Sequence, residues 1–319
     1  MATLNEVYSR LSVRRRYEVW FLRIGLEDGS GAWWLRYLLM NPGRDYSDRN
    51  MRFLATPNAM PVQVWATWFP AGRNPQTFLQ GFALQELDIS KRGQAPFHFR
   101  IEENEIEEDS CRGALQVDGH AISWNLRYRS SFRVTLSDRG WIGFSHTPHS
   151  DAVFSGEITL DGLSFSGDPL GFGVQGHNCG YRHRSLWSWT HAYFPRAGRA
   201  ATTLEALVYE MPLGLAFRKA VLWHGGRHYV FRNLRESGGS REDMQWNFQC
   251  AAQNGFRVEA AIDGRGPSVH RVSYLKTDGT GNFEVRNNSV ASASLIVTSA
   301  GGTAEMLETA TGAVLEMVG

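Results

Sequence analysis

The sequence predicts an all-β fold of short antiparallel strands, arranged as barrels or sandwiches. Three observations carry this. The 319 residues include 11 Trp, 18 Phe, 10 Tyr and 33 Gly, a mixture of strand formers and turn formers. Asp-Gly pairs recur between apolar or alternating segments, which is the pattern of tight hairpins. No long segment has helical periodicity, and only Leu4–Leu11 and the neighbourhood of Glu305 read as weak helices.

Taken in order, YEVWFLRIGL (17–26), a turn at Glu27–Gly31 and AWWLRYLL form a first hairpin. MNPGRDYSDRN (40–50) is a loop, and Val62–Phe69 and Thr77–Leu84 are strands on either side of a Pro-Ala-Gly-Arg turn. FHFRIEENEIEED (97–109) is rich in acid; it reads either as a cation site or, more simply, as a solvated edge strand whose charge discourages pairing. Leu115–Tyr128 is a hairpin around Asp118-Gly119, and Ile158–Ser166 repeats the Asp-Gly turn. Further strands are expected at Thr203–Met211, Leu215–Trp223, His228–Asn233, Gln245–Ala252, Phe256–Ile262, Arg271–Leu275, Ala293–Ser299 and Ala313–Met317.

One internal echo bears on domain organisation. WATWFPAGR (65–73) and WTHAYFPRAGR (189–199) share an aromatic strand, Phe-Pro and a Gly-Arg turn, each followed by an apolar strand. Two copies of one β unit are the expected origin, with a division at 1–168 and 169–319.

Charge and cysteine content exclude several classes. A net charge of +1 leaves no electrostatic footprint for nucleic acid or anionic lipid. The 3 cysteines, Cys111, Cys179 and Cys250, are far apart and form no CxxC, so a reducing, cytoplasmic compartment is expected. The N-terminal region has no signal-peptide pattern, and no apolar run is long enough for a transmembrane helix.

The densest chemistry lies in GFGVQGHNCGYRHRSLWSWTHAYFPRAGR (171–199). Its GxGxxG lacks a following helix, so its glycines are expected at turns or at close backbone approaches and not at a dinucleotide. His146 and His149 have HxxH spacing, but Pro148 forbids a helix and no third ligand follows. No metal and no cofactor is expected. Strand alternation puts Trp187, Trp189, His191 and Tyr193 on one face, as the lining of an apolar ligand cavity or as the filling of a β core or domain interface. His177 and Asn178 place polar groups beside flexible backbone and are candidates for ligand contact or catalysis; Cys179 is a small core residue or a thiol in reach of His177.

These residues resemble a family. GHNCGYRH…WSWTHAYF, GEITLDG and RGALQVDGHAISWNLRY are similar to the lipocalin-like superfamily of carotenoid 1,2-hydratases (hydroxyneurosporene synthases), AttH-type proteins and tocopherol-cyclase-like relatives. The likeness runs from the first hairpin to the closing GAVLEMVG. It implies two consecutive lipocalin-like antiparallel β-barrels with an apolar cavity near their junction. It also implies a hydrophobic, isoprenoid- or lipid-like small molecule as ligand, or as the substrate of a hydratase, cyclase or isomerase working by proton transfer. In the hydratase pattern the turn reads His-Asn-Trp; His177 matches and Cys179 replaces the Trp. The Tyr and Asp that the hydratases use fall near TTLEALVYE, where Glu205 and Tyr209 are the available counterparts. The resemblance thus implies His177 and Glu205 as proton carriers. Asn178, Cys179, Trp187, Trp189, His191, Tyr193 and Tyr209 are the candidate ligand contacts.

Overall fold

The computed structural model describes residues 3–44, 59–196, 201–251 and 255–319, and most of the expected 40–50 loop lies outside them. The first sheet begins with β1 (Tyr17–Leu26), β2 (Gly31–Met40), β3 (Val62–Pro70), β4 (Gln76–Phe82), β5 (Leu87–Ile89) and β6 (His98–Ile101). It continues with β7 (Asn104–Glu107), β8 (Ser110–Val117), β9 (His120–Arg129), β10 (Val134–Asp138), β11 (Gly143–Leu160) and β12 (Leu163–Gly180). The second sheet begins with β13 (Trp187–Phe194), β14 (Thr202–Glu210), β15 (Ala216–His224), β16 (Arg227–Phe231) and β17 (Arg235–Gly238). It closes with β18 (Gln245–Ala251), β19 (Arg257–Asp263), β20 (His270–Leu275), β21 (Asn282–Thr298) and β22 (Ala304–Val318).

All pairings are antiparallel, and the two sheets repeat one topology. The first runs β4-β3-β2-β1-β12-β11-β9-β8-β7-β6-β5, with β10 on β11. The second runs β16-β15-β14-β13-β22-β21-β19-β18-β17, with β20 on β21. In each, the opening strand is zipped to the closing one, so β13 is the counterpart of β1 and β22 of β12. Each sheet wraps an apolar core of its own: Trp20, Trp33, Tyr37, Phe99 and Phe154 in the first, Phe194, Phe231, Trp246 and Phe248 in the second. The expected two-barrel, lipocalin-like architecture is what the chain adopts.

Local chemistry explains the turns. Asp118-Gly119, Asp161-Gly162 and Gly225-Gly226 carry positive φ at both positions, which matches the twist of tight hairpins. Burial patterns separate two kinds of strand. β9 alternates buried and exposed residues, with one face on the core and one in water. β2, β13 and β14 are buried on both faces except at the last residue of β14. Their second faces meet between the barrels, where Phe21, Trp34, Trp189, Leu207 and Val314 form a shared apolar cluster. Arg23 crosses this seam and donates to the carbonyls of Ser289 (2.6 and 3.0 Å), Thr311 (2.6 Å), Gly312 (3.4 Å) and Ala313 (3.3 Å).

Several expectations are corrected. Leu4–Leu11 forms no helix, and Glu305 lies on β22. The GHNCG run is not a turn opening the second barrel; it is the end of β12, paired to β1. The first sheet therefore continues past residue 168 to Gly180, and the second starts at Trp187. The aromatic echo belongs to a duplicated architecture, but it pairs β3 with β13, which are not topological counterparts. The GxGxxG glycines lie mid-strand. A Cβ at Gly173 would sit 1.9 Å from the Arg23 carbonyl oxygen, and one at Gly171 2.2 Å from that of Gly25, so close backbone approach selects them.

Candidate functional site

Between the barrels lies a cavity of about 150 Å³, beside an outer pocket of about 570 Å³ with which it shares Arg182, His183 and Arg184 as lining. Its walls come from both sheets. Tyr17, Phe21 and Trp34 are contributed by β1 and β2, Trp187 and Trp189 by β13, Tyr209 by β14 and Tyr274 by β20. The rings brace one another. Phe21 meets Trp189 edge-on at 5.6 Å, and Tyr17 stacks on His183 at 4.0 Å. Phe21 is held in place by Gly176, over which its ring lies; a Cβ there would be 2.2 Å from the ring.

Polar groups interrupt this apolar wall at defined points. Arg36, Asn178, His183 and Glu316 line the cavity. Asn178 Oδ1 and His183 Nδ1 are buried and have no hydrogen-bond partner. Burial, assisted by Arg36, pushes His183 down to about 3, so the ring is neutral. Glu316 accepts from Trp187 Nε1 at 3.0 Å and from Asn287 Nδ2 at 3.4 Å. Burial raises its pKa against the opposing pull of Arg36. Tyr209 stacks on Phe217 at 4.7 Å, and its hydroxyl lies 3.2 Å from Ser137 Oγ.

The expected site residues separate into four groups. Asn178, Cys179, Trp187, Trp189 and Tyr209 line the cavity. His191 and Tyr193 share the Trp189 face but sit farther along the seam. His191 Nε2 donates to the Ser150 carbonyl at 2.7 Å, and Tyr193 stacks on Phe172 at 5.0 Å. Glu205 lies behind Trp189, accepting from its Nε1 at 3.1 Å and from Thr147 Oγ1 at 2.8 Å, with Oε2 unpartnered. Burial raises Glu205 to about 7.

His177 is elsewhere. It points to the core side of the first barrel, stacked on Trp20 at 4.6 Å and fully buried. Nδ1 donates to the Leu4 carbonyl at 2.7 Å and Nε2 to Glu18 Oε1 at 2.9 Å. Glu18 also accepts from the backbone N–H groups of Tyr8 (2.7 Å) and Ser9 (2.6 Å). Burial alone would raise Glu18; the His177, Ser9 and Tyr8 hydrogen bonds win and lower it. His177 and Glu205 therefore have separate partners and do not meet. Cys179 accepts from Arg16 Nε at 3.1 Å, and burial pushes its thiol up to about 12, so it is no thiolate.

Sequence reasoning missed Arg36, His183, Glu316 and Glu18. Three of them carried a signal, a charge in an otherwise apolar strand: alone in AWWLRYLLM and GAVLEMVG, and beside Arg23 in YEVWFLRIGL. Such a charge needs a buried partner or a ligand. Among the described residues no group of His, Cys, Asp and Glu has the arrangement of a metal site, and no helix is long and apolar enough to cross a membrane.

The architecture has solved relatives. Kievitone hydratase from Nectria haematococca superposes with a TM-score of 0.59 at 12% identity, over 100% of this chain and 92% of that one. The AttH-type protein of Nitrosomonas europaea gives 0.53 at 11% identity over 95% and 92%, and CghA 0.54 at 12% over 95% and 88%. The chain shares their fold. No family model matches it, and no curated protein does. At these identities the likeness concerns architecture alone.

Proposed function

We propose that the chain binds a hydrophobic, isoprenoid- or lipid-like small molecule in the cavity between its barrels. The observation that carries this reading is the cavity wall itself, made of aromatic rings from both sheets and interrupted by unpartnered polar atoms. Such a lining excludes water from an apolar body and fixes its polar handle. The buried free thiols Cys111, Cys179 and Cys250 support a cytoplasmic setting. Titration with N-phenyl-1-naphthylamine tests the reading. Saturable fluorescence enhancement, lost when Leu207→Trp fills the wall, is expected; a folded protein without enhancement counts against it.

A second reading, proton-transfer catalysis on an isoprenoid or polyene by a hydratase, cyclase or isomerase, is favoured by a specific observation. The cavity holds a carboxyl, Glu316, whose burial favours the protonated form that an alkene-protonating acid needs. The aromatic faces around it would stabilise a carbocation by ~0.5–2 kcal/mol each. A kievitone hydratase among the fold neighbours is consistent with such chemistry. In this reading Glu205 sits behind Trp189 as a reserve of protons, while His177 supports the barrel that carries Asn178. Conversion of a polyene by the wild type but not by Glu316→Gln would favour it; conversion unchanged in that variant would remove Glu316 from it.

A further inference from the structure

Arg36 is the one charge on β2, and it stands on the face that looks between the barrels. It is 7% exposed, yet its side chain makes no hydrogen bond or ion pair among the described residues. Its guanidinium carbon lies 4.4 Å from the Tyr274 ring centre, 4.8 Å from Trp65 and 5.6 Å from Trp34. These cation–π contacts favour the charge but give its N–H donors no acceptor. Glu316 is near enough to feel Arg36 but is occupied by Trp187 and Asn287 and forms no ion pair with it. The cavity mouth adds Arg182 and Arg184, neither ion-paired among the described residues, while Lys276 lines the outer pocket with Glu210 and Asp278. A buried guanidinium with unused donors, aimed into a cavity, is a charge waiting for a counter-charge.

We propose that Arg36 is the recognition residue for an anionic oxygen of the ligand, so that the cavity takes a flat conjugated or aromatic acid: a carboxylate, phenolate or enolate. This rests on the reading of the cavity as a ligand site and names the class of ligand. The flat body lies among Phe21, Trp34 and Trp189. Its ionised oxygens accept from the Arg36 fork, and Asn178 and His183 lie on the same lining to set its edge.

The test compares 2-naphthoate with its neutral isostere 2-naphthamide by calorimetry and by quenching of tryptophan fluorescence. The wild type is expected to bind the naphthoate on the order of tenfold or more tightly than the amide, as a charge-assisted bidentate pair provides. Arg36→Met abolishes the preference while keeping amide binding, and Arg36→Lys keeps part of it. Equal affinity of the wild type for the two probes overturns the proposal and leaves the apolar cavity standing. Preference retained in Arg36→Met but lost in an Arg182→Ala/Arg184→Ala double variant also overturns it, placing the anion at the mouth. Absence of binding by either probe removes the cavity reading and the proposal together. If Arg36→Met fails to fold, the wild-type comparison and Arg36→Lys still decide.

Discussion

His177 donates to Glu18 across 2.9 Å with both side chains sealed from solvent, 159 residues apart in the chain. The pair joins β1 to β12, and the segment from Leu4 to Ser9 lies over it, supplying the Leu4 carbonyl and the Tyr8 and Ser9 N–H groups. The best match to the hydratase motif is thus tied into a barrel end, with its hydrogen-bonding capacity used up.

Breaking that pair should be costly. Glu18→Gln and His177→Ala are each expected to destabilise by about 3–5 kcal/mol, the loss typical when one member of a buried ion pair is removed. The double variant should lose much less than the sum, which urea denaturation in a double-mutant cycle would measure. Because Glu18 is lowered in the fold, its contribution is present above the ordinary carboxylate range and disappears as pH falls through the folded value.

Glu205 should produce the opposite pH dependence. Its pKa is raised from 4.5 to about 7 by burial. The protonated carboxyl is the form the fold prefers, so its effect is neutral below pH 4.5 and grows destabilising as pH rises toward 7. The linkage amounts to roughly 3 kcal/mol. Glu205→Gln should remove that decline. At pH 8 the variant should be more stable than the wild type by melting temperature, and at pH 4.5 about equal. His183 and His191, both pushed down to about 3, titrate alike in both proteins and cancel in the difference.

Arg23 is expected to couple the barrels. Arg23→Ala leaves the Ser289, Thr311 and Ala313 carbonyls without this donor at the seam, at a cost of about 2–4 kcal/mol. Calorimetry should show a lower melting temperature and separation of one transition into two. A single unchanged transition would mean that the apolar cluster alone holds the seam.

Gly176 should control the cavity through Phe21. A methyl group at Gly176 collides with the Phe21 ring, so Gly176→Ala is expected to cost about 1–3 kcal/mol and drive the ring toward Trp189. Probe binding should weaken with it. Phe21→Ala should cost less in the Gly176→Ala background than in the wild type, a non-additivity that marks direct contact.

Much of the architecture is legible in the sequence. The Asp118-Gly119 and Asp161-Gly162 turns, the alternation of β9 and the apolar run of β2, broken only by Arg36, each have a local cause, and all of them form as expected. The face shared by Trp187, Trp189, His191 and Tyr193 is likewise a local consequence of a two-residue period. What faces it is not local. Whether His191 meets a cavity or the Ser150 carbonyl depends on how two sheets are set together, and no spacing encodes that. The same holds for Glu18 and His177, whose meeting follows from β1–β12 pairing. The GHNCG run misleads because its glycines mimic a turn, whereas they relieve crowding against β1 and the Phe21 and Tyr17 rings. Arg36 is visible as a charge within an apolar strand, but that it forms no ion pair with Glu316, on the same cavity wall, is a three-dimensional fact.

Tyr17 opens the first strand of one barrel and Glu316 stands near the end of the last strand of the other, yet both wall the same cavity. During synthesis, the first barrel can close on its own core long before β22 emerges, and at that stage its second apolar face, with Trp34 and Arg36, has nothing to cover it. The nascent chain therefore carries an exposed sticky surface until the final strand docks. Expression at low temperature or with a chaperone should raise the yield of folded protein more than any stabilisation of the first barrel would, and premature termination within β22 should give aggregates in place of a half-active fragment.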